Sequence, residues 1–122
     1  MKTAGFDQAV ADALRALPAE FRERLKEVAV VVQDKPTKKE LREANVSKGD
    51  TLLGLFVGIN LKEKSVFDAP RDVNRIILYR QPLEEMCTTR KELLKEIRKT
   101  VIHEVGHFLG MEEEELERLG YE

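Results

Sequence analysis

The stretch TRKELLKEIRKTVIHEVGHFLG, from Thr89 to Gly110, decides how the rest of the chain is read. Its apolar residues Ile97, Val101, Val105 and Phe108 recur at three- and four-residue steps, which marks the buried face of a helix. Thr89 and Glu92 have capping-box spacing, and Gly110 accepts the left-handed conformation that ends helices, so a long helix is predicted from Thr89 to about Leu109. On a helical wheel with His103 at zero, the apolar stripe spans about 120° to 200°, and His107 falls at about 40°. Both histidines therefore lie off the stripe, one turn apart, on one side of the helix.

These are the only histidines in the chain, and Glu104 directly follows the first, giving the arrangement His103-Glu104-Val105-Gly106-His107. Scattered at random, two histidines would fall four apart with a glutamate after the first roughly twice in a thousand sequences of this composition. The spacing has a mechanical reason. Two imidazoles one turn apart can reach the same ion, while Glu104, about 60° from His107, can touch a water on that ion without ligating it. His103 and His107 are thus candidate metal ligands and Glu104 a candidate general base. Zinc in hydrolytic sites usually takes three protein ligands and keeps a position for water. Extending the motif through Gly110 reaches Glu113, the favoured third ligand, with Glu112 and Glu114 as alternatives in the same acidic run. Those acids also suit the positive end of a last helix, predicted from about Glu112 to Leu119.

Working towards the N-terminus, RIILYR at Arg75–Arg80 is a β-prone run that Pro82 is expected to end. Leu52–Ile59 reads as a strand apolar on both faces, with Gly54 and Gly58 on one side, where either a helix or an extended ligand can come close or the strand bulges or bends. Ser47–Asp50 is a turn signal, and a polar loop passes through Asp68, Pro70 and Asp72. Thr37 and Glu40 repeat the capping-box spacing ahead of a short helix at about Lys38–Ala44. Val28, Val30, Val31 and Val32 form a β-branched strand. Phe6, Val10, Leu14 and Leu17 mark a first helix that Pro18 ends, and Pro18 can start a second helix that carries Phe21, Leu25 and Val28 inward.

The 122 residues suffice for one core and are read as a single domain, 1–122. The 21 basic and 23 acidic residues nearly cancel, which disfavours a nucleic-acid footprint. The absence of a signal-like leader and of an 18-residue apolar run makes a cytoplasmic setting without membrane association the expectation. Lone Cys87 cannot form an internal disulfide and reads as a small buried hydrophobe.

HEVGHFLGMEE, preceded in order by LPAEFRERLKEVAVVVQDKP, LLGLFVGI and RIILYRQPLEEMC, resembles the minimal zincin-like metallopeptidase family over nearly the whole chain. The resemblance implies an α+β fold, a small mixed sheet packed by helices with the motif on a long C-terminal helix. It implies one zinc ion, His103 and His107 as ligands and Glu104 as the catalytic glutamate. The family motif usually ends in aspartate where this chain has Glu113, one methylene longer. The expected activity is hydrolysis of a peptide or protein substrate by a metal-activated water, with Glu104 as general base. Tyr79, Arg80 and Tyr121 are candidate oxyanion donors whose ordinary role is core or rim packing. The alternative reading keeps fold and metal but drops catalysis, leaving a zincin-like metal-binding or protein-interaction module.

Overall fold

The computed structural model describes residues 5–44, 46, 51–58, 74–110, 114 and 118. Helix α1 is Phe6–Arg15, and α2 is Ala19–Arg24, tightening into a 3₁₀ turn at Leu25–Glu27. Strand β1 is Val28–Gln33, helix α3 Lys38–Glu43, strand β2 Gly54–Val57 and strand β3 Asn74–Tyr79. Helix α4, Arg80–Met86, follows β3 directly, and α5 runs from Arg90 to Phe108. The strands make a mixed sheet in the order β1-β3-β2, with β1 parallel and β2 antiparallel to β3. The class is α+β, a small mixed sheet packed by helices.

β3 is central because its sequence can bury both faces. Ile76 and Leu78 join the main core with Phe6, Ala9, Val10 and Ala13 of α1 and Leu93, Ile97, Val101 and Val105 of α5. Ile77 and Tyr79, pointing the other way, are also buried. The run Leu52–Ile59 contributes less strand than its apolar character suggests. Among the described residues the strand is Gly54–Val57, paired with β3 on one side, and Ile59 lies outside the described residues. Gly54 shows why a glycine is needed there. A Cβ at this position would stand 2.5 Å from Thr100 Cγ2 and 3.1 Å from the Ile77 carbonyl, so bare backbone lets β2 lie against α5.

Two boundaries differ from the sequence expectation. Pro18 caps α2, but Leu25 and Val28 are not carried inward on that helix, because the chain tightens at Leu25 and Val28 opens β1. Pro82 follows the strand as expected, yet it sits inside α4, a helix the sequence reading lacks. Proline fits the first helical turn, where its missing N–H is not needed. The start of α4 is tied to the end of β1. Arg80 Nε donates to Asp34 Oδ1 at 2.9 Å, its guanidinium also pairs with buried Glu84, and Gln81 N–H donates to the Asp34 carbonyl at 2.8 Å.

The capping signals are realised locally. Thr37 and Glu40 form the reciprocal box at the start of α3. At α5, Thr89 Oγ1 accepts from Glu92 N–H at 3.1 Å, while Glu92 reaches one residue further back, to Thr88 N–H and Oγ1. Gly110 adopts φ 77°, the left-handed geometry of a helix stop. α5 buries more than the predicted stripe, since Ile102 and Thr100 are also buried. The helix is packed by α1 on one side and by the sheet on another. Cys87 is buried in the core. The turn at Ser47–Asp50 and the loop through Asp68, Pro70 and Asp72 lie outside the described residues, as does most of the predicted helix Glu112–Leu119. Among the described residues no helix is long and apolar enough to cross a membrane.

Candidate functional site

α5 is continuous through positions 103–107, so the backbone presents positions 103 and 107 one turn apart, about 6 Å along the axis. His103 and Glu104 are half-buried at the margin of the packed stripe. Glu104 Oε1 accepts a hydrogen bond from Phe56 N–H at 3.3 Å. Tyr79 N–H donates to the Leu53 carbonyl, so odd-numbered residues of β2 turn their backbone groups to β3. The even-numbered Phe56 amide consequently points off the sheet edge, towards α5. The carboxylate of the candidate base is thereby held at the strand that borders the helix. The His107 side chain and Glu113 lie outside the described residues, and so does Tyr121.

An open groove of about 380 Å³ begins at His103 and Glu104 and follows α5 back past Thr100, Lys99 and Glu96. Thr51, Leu52, Leu53 and Gly54 form its other wall, with Met86 from the end of α4. The sequence reading singled out the Leu52–Ile59 run and Gly54 as a place for an extended ligand, but it missed Met86 and the groove they share. Met86 and Leu53 become neighbours of the motif only through the packing of α4 and β2 on α5, and no local spacing signals it. The Phe56 amide was equally out of reach, because which backbone groups face outward depends on strand register.

The two described oxyanion candidates are engaged elsewhere. Arg80 is bound to Asp34 and Glu84, and the hydrogen bond to Asp34 helps hold its pKa above the ordinary guanidinium value. Tyr79 is buried, and burial first, then the nearby Glu40 carboxylate, push its phenol well above the usual tyrosine value. Its hydroxyl makes no hydrogen bond of ordinary geometry among the described residues, although Glu40 is close enough to act on it electrostatically. Neither residue lines the groove.

The donor chemistry suits a zinc ion: imidazole at His103 beside a solvent-open groove, a second histidine one helical turn on, and a carboxylate between them. Among the described residues no cluster of three ligating side chains forms, since the His107 side chain and Glu113 are not among them. A family model described as zincin-like metallopeptidase matches residues 25–121, and the chain belongs to that family. A conserved hypothetical protein from Thermus thermophilus has a similar fold, with a TM-score of 0.58 and 22% identity over 86% of this chain and 91% of that one. No curated protein matches significantly.

Proposed function

We propose that this protein is a zinc-dependent peptidase whose His103, His107 and Glu113 hold one zinc ion and whose Glu104 is the general base. The observation that carries the proposal is the meeting of Glu104 with the edge strand β2 at the mouth of a groove. Zinc bound there would supply Lewis acidity towards a peptide carbonyl and acidify water. The chain's own contribution is positional. Glu104 is fixed by its place on a helix packed against α1 and the sheet, and its Oε1 is oriented by the Phe56 amide. From there the carboxylate takes a proton from water and returns it to the leaving amine. β2, packed on α5 where it borders the groove, is the strand alongside which an extended peptide would lie.

Metal analysis of zinc-loaded protein, with peptide hydrolysis by wild type and Glu104→Gln, tests this reading. One zinc per chain is expected, with hydrolysis lowered about 10²–10⁴-fold by the substitution while zinc is retained. No zinc after loading refutes the metal assignment. Zinc with equally negligible hydrolysis by both proteins refutes catalysis and leaves a metal-binding module.

A further inference from the structure

We propose that the groove beside His103 and Glu104 selects peptides carrying an aliphatic or aromatic side chain next to the bond to be cut, and that Leu52, Leu53 and Met86 read that side chain. The inference rests on the peptidase reading and adds the substrate class. Met86 is 57% exposed, the most exposed large hydrophobic among the described residues. It belongs to the same groove as Leu52, Leu53, Gly54, His103 and Glu104. An unbranched thioether adapts its shape to whatever apolar group it meets, which suits a surface that contacts varied side chains.

The groove's dimensions fit a short stretch of extended chain. Seven residues of α5 separate His103 from Glu96, about 10.5 Å along the helix, which is about three residues of extended peptide. Its volume falls at the lower end of the range for small-ligand clefts, so it admits a few side chains rather than a folded surface. Chemistry changes along its length. Apolar Leu52, Leu53 and Met86 share it with the Lys99–Glu96 pair, 3.9 Å apart, which lies about one and a half to two turns from Glu104 on the polar side of the helix. Gly54 adds no side chain to this wall, and its bare backbone packs directly on the Thr100 methyl.

The test profiles the zinc-loaded full-length protein against peptides varied at the residues flanking the cleaved bond. Leu, Met or Phe is expected to be preferred over Gly by about tenfold or more, as removal of apolar groups from a hydrophobic pocket predicts. Met86→Ala should reduce that preference about threefold or more, and Met86→Lys should move it towards Asp and Glu. Exposure of Met86 makes both variants compatible with folding. A second measurement needs no turnover: calorimetric affinity of peptide hydroxamates that differ only in the side chain, glycyl against leucyl and phenylalanyl. Side-chain-dependent affinity without hydrolysis supports the groove assignment while refuting the peptidase reading. If zinc does not bind, the free peptides are titrated in the same way, and the same apolar ranking, weakened by Met86→Lys, supports the groove. Equal affinity for glycyl and leucyl forms, or a ranking that Met86→Lys leaves unchanged, overturns the inference even where zinc binds and peptides are cut.

Discussion

Replacing Gly54 with alanine introduces one methyl group where β2 crosses α5, and its consequence can be worked from three contacts. The new Cβ would stand 2.5 Å from Thr100 Cγ2, 3.1 Å from the Ile77 carbonyl and 3.5 Å from Leu78 Cδ2. The first distance is impossible for real atoms, so the strand or the helix must shift. Overpacking of this kind typically costs about 1–3 kcal/mol. Gly54 does not have a positive φ, so alanine also restricts the unfolded chain, and that offsets about 0.4–1 kcal/mol. The net expectation for Gly54→Ala is a loss of roughly 0.5–2 kcal/mol. Thr100→Ser removes the clashing methyl and keeps the hydroxyl that donates to the Glu96 carbonyl at 2.8 Å. By itself it loses about 0.8 kcal/mol of apolar burial. Together the two substitutions should couple favourably by about 1 kcal/mol, short of full rescue because the Ile77 carbonyl stays in place. Urea unfolding followed by circular dichroism gives all four corners of the cycle. A Gly54→Ala protein as stable as wild type, or strictly additive losses in the double variant, would refute the claim that bare backbone at position 54 sets the strand-to-helix distance. Because Phe56, two residues on, holds Glu104, peptide hydrolysis by the same variants should fall with the single substitution and recover in the double one.

Other expectations follow from ionic and polar groups. Arg80→Ala removes the guanidinium that pairs with buried Glu84, so it should destabilise the fold more than the double variant Arg80→Ala/Glu84→Gln, read as denaturation midpoints. Tyr79 has a folded-state pKa above its ordinary value, so its contribution is complete below about pH 10 and is lost as pH rises further. Tyr79→Phe should therefore unfold at higher alkaline pH than wild type, with neutral-pH stability little changed because the hydroxyl makes no ordinary hydrogen bond among the described residues. Glu40 behaves oppositely. Burial raises its pKa, but hydrogen bonds from the Thr37 backbone and Gln33 outweigh that and leave it below the ordinary glutamate value. Its stabilisation is present above about pH 4.5 and is lost as pH falls through the folded-state value. Thr37→Ala should cost about 1 kcal/mol at neutral pH yet leave most of the acid limb in place, because the N–H at position 37 is kept, whereas Gln33→Ala should flatten that limb; pH-dependent urea unfolding checks both.

Much of the helical framework is legible in the sequence because its signals are local. The capping box at Thr37 and Glu40, the three- and four-residue apolar steps of α1 and α5, and the stop at Gly110 each act within one or two turns. Helix α4 is hidden because Pro82 reads locally as a strand terminator, and the anchoring of Arg80 by Asp34 joins residues 46 apart. The strand at Leu52–Ile59 reads as apolar on both faces, yet content does not tell a central strand from an edge strand. That distinction rests on which neighbours hydrogen-bond, and β3 alone has one on each side among the described residues.

The candidate site divides along the same line. His103, Glu104 and His107 are found from spacing alone, since four residues along a helix fix an angle and a rise whatever surrounds them. The sequence by itself thus determined the motif, its side of the helix and the family to which the chain belongs. Only the tertiary structure decided that Glu104 meets the Phe56 amide, that Tyr79 and Arg80 turn away from the groove, and that Met86 comes beside the motif. Those contacts join residues far apart in the chain, and their geometry comes from packing β2 and α4 on α5, which no local pattern encodes.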